Sequence, residues 1–62
     1  MEIGKSYTNK YFLDPLKIRV LHVDFINKDS AKLKVEWYNK GMYIGEDRIE
    51  IQHKDIDNWR LV

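Results

Sequence analysis

Two histidines and three carboxylates are the side chains of this sequence that could hold a metal ion. His22 stands two positions before Asp24, and His53 stands two positions before Asp55, with Asp57 following. Imidazole nitrogens combined with a carboxylate oxygen are a common donor set for transition metals. The spacing matches no known ligand pattern and nothing fixes the two histidines together, so we predict surface histidines and no metal site. The absence of cysteine excludes thiolate ligands and disulfides.

Catalytic chemistry has even less support. Ser6 and Ser30 lack the glycine-framed turn that exposes a serine nucleophile. Asp55 and Asp57 could act as an acid and a base, but 62 residues leave little room for a desolvated pocket of the usual ligand size. Asp55 is better explained as the cap of a helical turn, and the three glycines form no phosphate-binding loop. We therefore predict no catalytic residue, no cofactor and no enzymatic activity.

A basic row is a stronger candidate for function. Residues 1–40 carry eight Lys and Arg against five Asp and Glu, whereas residues 41–62 carry three against five. Basic side chains release counterions from phosphates, and exposed rings stack on bases. Asp24 and Glu36 lie among these basic residues and lower the local positive charge, and the formal net charge of the chain is only +1. The alternative is that these residues form a solvated strand face with no ligand. The candidate residues for nucleic-acid binding are Lys17, Arg19, Lys32, Lys34 and Tyr38.

Aromatic and methionine residues in two predicted loops point to a protein partner. Tyr11 and Phe12 lie in residues 9–15, and Met42 and Tyr43 lie in residues 39–47. Loops carry binding residues more often than strands do, and aromatic and Met side chains are enriched at protein interfaces. The alternative is that Phe12 and Met42 fold inward and close one end of the domain. We take protein binding through these four residues as the leading prediction.

These side chains have to be positioned by β-strands. Leu33, Val35 and Trp37 alternate with polar residues at the period of two that is typical of a half-buried strand. The same pattern, with Asn- and Gly-containing turns between, predicts five strands and a helical turn at 55–59. The predicted strands are residues 3–7, 16–26, 31–38, 48–53 and 60–62, and residues 42–47 form either a short strand or a wide loop.

The phase of the second strand changes in the middle. Leu16, Ile18 and Val20 are apolar at even positions, whereas Leu21 and Val23 are apolar at odd positions, so we predict a bulge near residues 20–21. Charge complementarity favours a register in which facing residue numbers sum to 58, which sets Asp24 against Lys34 and His22 against Glu36. The predicted core is Val23, Phe25, Leu33, Val35, Trp37, Ile49, Ile51 and Ile56.

This organisation resembles that of small SH3-like β-barrel proteins of bacteria and their phages. The resemblance includes an opening Gly4-Lys5-Ser6-Tyr7 segment and an acidic helical turn followed by a short last strand at residues 55–62. It implies a small five-stranded all-β barrel over residues 1–62 as a single domain, with a short helical turn before the last strand. The motif by which SH3 domains bind proline-rich peptides is not convincingly present, so such binding is not expected.

The resemblance and the small size together imply a non-catalytic binding module. Together they also imply a phage or mobile-element accessory protein that binds and modulates a host protein. The first residues lack a basic region followed by an apolar run, and no apolar stretch is long enough to cross a membrane, so we expect a cytoplasmic protein. The sequence leaves the identity of the partner and the oligomeric state open.

Overall fold

Five antiparallel strands form one sheet in the order β4-β3-β2-β1-β5, as seen in a computed structural model that describes residues 1–13 and 15–62. A 3₁₀-helix, His53–Asn58, precedes the last strand. This confirms the predicted all-β class and the single helical turn before the last strand; Asp14, in the predicted 9–15 loop, lies outside the described residues. The strands are β1 (Ser6–Asn9), β2 (Leu16–Ile26), β3 (Ser30–Asn39), β4 (Met42–Gln52) and β5 (Trp59–Leu61).

The sheet has two free edges. β4 pairs only with β3, and β5 pairs only with β1, in the described part of the chain. This strand order is compatible with an SH3-like architecture. Closure of the sheet into a barrel is not confirmed.

The long β2–β3 hairpin has the predicted strands but a different register. A register shift between Val20 and His22 confirms the predicted bulge. A second shift lies between Val23 and Phe25, and the sequence analysis did not predict it. The register with facing numbers summing to 58 is wrong: the sum is 57 at Ile26 and Ala31 beside the turn, and each bulge then lowers it by one. The observed pairs set Val23 against Leu33, His22 against Lys34 and Arg19 against Glu36.

The buried core lies on the inner face of β2, β3 and β4. Its fully buried members are Ile18, Val20, Leu33, Val35 and Ile51. Val23, Trp37 and Ile49 were predicted to be buried with this core; they pack against it but are only partly buried. Phe25 and Ile56 were predicted to be buried, and this is wrong for both. Phe25 is 53% exposed because the second bulge sets it against Lys32 on the outer face, and Ile56 lies exposed on the 3₁₀-helix.

A two-residue turn joins β3 to β4. Lys40 (φ 52°) and Gly41 (φ 81°) both have positive φ, as the tightest hairpin turns require. β4 begins at Met42 and includes residues 42–47. Of the two structures predicted for these residues, a strand or a wide loop, the strand is therefore correct. Trp37 faces Gly45 and Tyr38 faces Tyr43, which leaves Ile44 as an extra residue in a bulge. Gly45 (φ 148°) takes a backbone conformation that residues with a Cβ rarely adopt.

The two ends of the chain differ slightly from prediction. β1 begins at Ser6, and residues 4–5 bond to β2 through Gly4 N–H to the Val20 carbonyl (2.7 Å) and Val20 N–H to the Lys5 carbonyl (3.0 Å). The 3₁₀-helix begins at His53, after Gln52, and has no side-chain cap. The prediction that Asp55 caps this turn is therefore wrong, since Asp55 lies inside the first turn.

Candidate functional site

The loop between β1 and β2 is fixed to the rest of the protein by backbone hydrogen bonds. The Asn9 side-chain oxygen accepts a hydrogen bond from the Tyr11 N–H (3.0 Å), and the Asn9 carbonyl accepts one from the Phe12 N–H (3.0 Å). Lys10 N–H donates to the Asn58 carbonyl (2.9 Å) at the end of the 3₁₀-helix. These bonds satisfy the N–H groups of Lys10, Tyr11 and Phe12 and restrict the backbone of residues 9–12.

Phe12 anchors the same loop through its ring. Its centroid lies 5.7 Å from the ring of Trp37 in a tilted arrangement, and 5.6 Å from the ring of Trp59 in an edge-to-face arrangement. Both distances fall within the favourable range for aromatic pairs. Phe12 is half-buried, whereas its neighbours are turned outward: Tyr11 is 70% exposed and Leu13 is 100% exposed.

The beginning of β4 lies next to this loop. Lys40 N–H, in the β3–β4 turn, donates to the Pro15 carbonyl (3.2 Å) at the end of the loop. Met42, two residues further on, is 72% exposed. Of the two side chains that could have closed the end of the domain, Phe12 packs inward and Met42 does not. The loop and the β3–β4 turn therefore meet through this hydrogen bond.

Tyr43 lies on the other face of the sheet. Its ring packs edge-to-face against Tyr38, with centroids 5.8 Å apart, and Tyr38 donates a hydrogen bond to a Glu36 carboxylate oxygen (3.2 Å). Tyr43 is 54% exposed. Desolvation beside its neighbours raises the pKa of Tyr43 above its usual 10.0, and the charges of Glu46 and Glu36 raise it further. The phenol is therefore neutral at physiological pH.

The four residues predicted to bind a protein thus divide between the two sides of the sheet. Phe12 packs on Trp37, which points to the inner face, and Tyr43 packs on Tyr38, which points to the outer face. Met42 pairs with Asn39 and so alternates away from Tyr43. The sequence analysis missed Leu13 and Ile44, which are also exposed apolar residues at this end of the sheet. In the sequence, Leu13 is distinguished only by following the aromatic residue Phe12, and Ile44 only by preceding Gly45.

The basic row lies on the outer face, as the sequence predicted, but carboxylates interrupt it. Arg19 faces Glu36 at 3.8 Å between nitrogen and oxygen, and Lys34 lies 3.5 Å from Glu46. Lys32 is paired across the strands with Glu50. Lys17 faces Tyr38 on the neighbouring strand, next to Tyr43.

The two histidines lie in different elements. His22 in β2 lies 3.7 Å from Asp24, and Asp24 also lies 3.3 Å from Arg48. His53 begins the 3₁₀-helix. Over residues 1–13 and 15–62, no three His, Asp or Glu side chains gather closely enough to hold a metal ion.

Two depressions lie at opposite ends of the sheet. One is an apolar cavity of about 100 Å³ under the 3₁₀-helix, lined by Met1, Ile26, Ala31, Leu33, Ile51, His53 and Ile56. The other is a shallow groove between the end of the 9–15 loop and the β3–β4 turn, with an apolar floor of Pro15, Leu16 and Val62 and with Lys17 and Lys40 on its walls. The groove adjoins the exposed residues Leu13 and Met42 in sequence.

Comparison with protein-family models, with curated proteins and with solved structures gives no match to this chain. No helix in the described ranges has the length and apolar character needed to span a membrane.

Proposed function

We propose that this chain is a non-catalytic protein-binding module with an SH3-like fold. Its contact surface is formed by Tyr11, Leu13 and Met42, with Tyr43 beside them on the adjoining face; we call these four residues the loop–hairpin surface. The observation that carries the proposal is the strong exposure of Tyr11 and Leu13, on a loop that Phe12 holds in place, and of Met42 at the start of β4.

The exposure of these side chains has a physical cost that a partner would remove. Exposed apolar residues on a small monomer mark a contact site where they form a contiguous patch. Tyr and Met side chains are also among those enriched at interfaces. Binding here requires little ordering of the loop, because the Phe12 anchor and the hydrogen bonds of Asn9 already fix its shape. Less ordering means a smaller entropic cost of association.

The test compares affinity capture by the wild-type protein with capture by the double variant Tyr11→Ala, Met42→Ala. Both side chains are mostly exposed, so the variant is expected to fold with an unchanged melting temperature. It is expected to lose a partner that the wild type retains from a lysate of the source cell. Ile3→Ala with Phe25→Ala is a matched control, because it removes a similar exposed apolar area outside the surface.

Each outcome of this comparison bears on the proposal. Retention of the partner by Tyr11→Ala, Met42→Ala contradicts it, as does equal loss of the partner by the control variant. A third variant, Tyr43→Ala, shows whether the contact continues around the hairpin onto the outer face. That the protein is a phage or mobile-element accessory factor acting on a host protein remains a prediction of the resemblance.

Single-stranded nucleic acid is the second candidate ligand. The placement of Lys17 across from Tyr38, whose ring contacts the exposed Tyr43, favours it, because a base can stack on such a ring while a lysine contacts phosphate. The other basic residues of this candidate nucleic-acid site are Arg19, Lys32 and Lys34, and Arg19 and Lys34 are ion-paired. Titration of a labelled oligonucleotide at low salt tests this reading. No binding removes it, and nuclease treatment of the captured material separates it from a protein partner.

A further inference from the structure

The groove beside the loop–hairpin surface combines an apolar floor with positive walls. Pro15, Leu16 and Val62 form the floor, and the side chains of Lys17 and Lys40 border it. Among the described residues that line the groove there is no Asp or Glu side chain. Thr8, which also lines it, donates its hydroxyl hydrogen bond to the Leu16 carbonyl (2.8 Å), so this hydroxyl is already engaged.

In the described part of the chain, the basic residues of the sheet divide into those that have an ion pair and those that have none. Arg19, Lys34 and Arg48 each lie within ion-pair distance of a carboxylate. No ion pair joins Lys17 or Lys40 to a carboxylate in the ranges that the structure describes. Lys10, on the same loop as Tyr11, holds its ammonium 5.1 Å from the centre of the Tyr11 ring. Lys17 and Lys40 thus line the groove, and Lys10 lies against the exposed Tyr11 ring.

We infer that the partner segment bound by the loop–hairpin surface is acidic. Its apolar side chains would cover Leu13, Met42 and the groove floor, and its Asp or Glu side chains would lie against Lys17 and Lys40. The inference rests on the proposed function and adds the chemistry of the partner. The reason is charge complementarity. Carboxylates of the partner opposite these lysines speed association, and the lysines favour an acidic partner over a neutral or basic one.

Two carboxylates of the outer face, Glu36 and Glu46, lie within ion-pair distance of Arg19 and Lys34. These pairs reduce the negative potential of the two carboxylates but do not remove it, since it still adds to desolvation in raising the pKa of Tyr43. Salt screens this potential beyond roughly 8–10 Å.

A phage-displayed random peptide library, selected against the immobilised wild-type protein at low salt, supplies a defined probe. The selected peptides are expected to combine aromatic or aliphatic residues with Asp and Glu. One selected peptide is then synthesised in two forms, as selected and with every Asp and Glu replaced by Asn and Gln. The neutral form is expected to bind about tenfold more weakly, and the difference is expected to shrink as salt is added.

Charge reversal on the protein completes the test. Lys17→Glu with Lys40→Glu should weaken binding of the acidic peptide by about tenfold or more, whereas Lys28→Glu with Lys54→Glu should not. Lys28 and Lys54 line a separate depression with His53, so this control changes the net charge equally at another site. If the Glu variant does not fold, Lys17→Gln with Lys40→Gln replaces it, with a smaller loss expected.

The outcomes separate this inference from the proposed function. Peptides that depend on Tyr11 and Met42 but bind equally well to the Lys17 and Lys40 variants overturn the acidic partner and leave protein binding standing. A library that yields no peptide sensitive to Tyr11 and Met42 counts against both. Self-association of the protein that the Lys17 and Lys40 variants abolish would make a second copy the occupant, and would overturn the inference of a separate acidic partner.

Discussion

The ring centroids of Phe12 and Trp37 lie 5.7 Å apart, which joins a residue of the β1–β2 loop to the last part of β3. Trp37 also packs against the buried core, so the loop is connected to the most stable part of the protein. This relationship gives Phe12 and its neighbours different roles. Phe12 holds the loop, and Tyr11 and Leu13 are displayed by it.

The first prediction separates these roles. Phe12→Ala removes two aromatic contacts and opens a gap beside Trp37 and Trp59, and we expect it to lower the free energy of unfolding by about 2–3 kcal/mol. Leu13→Ala changes only an exposed side chain and should alter stability by less than about 0.5 kcal/mol. Chemical denaturation followed by tryptophan fluorescence measures both. Equal stability of the two variants would show that Phe12 does not anchor the loop.

The second prediction tests the core and the register of β2. Val35→Ala and Ile51→Ala remove buried methyl groups and should each destabilise the protein by on the order of 2 kcal/mol. Phe25→Ala lies on the outer face and should cost well under about 1 kcal/mol, although Phe is the larger side chain. A large loss for Phe25→Ala together with a small one for Val35→Ala would restore the register that the sequence alone suggested.

The third prediction concerns the bulge in β4. Gly45→Ala places a Cβ on a residue with φ of 148°, and we expect a loss of roughly 1–3 kcal/mol from backbone strain. No heavy atom beyond the two chain neighbours lies within 4 Å of the new Cβ, so the expected loss comes from the local backbone and not from a clash with another part of the protein. The neighbouring exposed residue provides the control, since Glu46→Ala keeps the backbone free of strain. A melting temperature for Gly45→Ala equal to that of the control would mean that the strand relaxes at this position.

The fourth prediction uses the raised pKa of Tyr43. Desolvation, and then the charges of Glu46 and Glu36, favour the neutral phenol in the folded state. Since the pKa in the unfolded chain is lower, the stabilisation is present below pH 10.0 and declines as the pH rises from there through the folded-state pKa. In an absorbance titration of phenolate formation, Tyr43→Phe should remove a late-titrating tyrosine. Loss of an early one instead would contradict the packing described here.

Much of the fold could be predicted from alternation alone. The β2 bounds, the position of β3 and the first bulge at residues 20–21 all follow from apolar residues at a period of two and from the point where its phase changes. The second bulge, near Asp24, left no comparable signal. Val23 and Phe25 are both apolar and two apart, so their phase looks continuous, yet they face opposite sides of the sheet.

The candidate site was only partly predictable for a similar reason. The sequence identifies Tyr11, Phe12, Met42 and Tyr43 as apolar residues near turns, but it does not say which of them the core will take. That choice depends on Trp37 and Trp59, which lie far from Phe12 in sequence and meet it only after the sheet has formed. The separation of Tyr43 from Met42 onto different faces follows from β4 being a strand there rather than a loop.

Site-specific photo-crosslinking tests the proposed protein-binding surface most directly. A photoreactive phenylalanine analogue is placed at Tyr11, at Met42 and, as a control on the outer face, at Phe25, and each variant is irradiated in the source cell. The account predicts that positions 11 and 42 crosslink to the same protein and that position 25 does not. Crosslinks to nucleic acid, or to the same protein from all three positions equally, or no protein crosslink from positions 11 and 42, would contradict it.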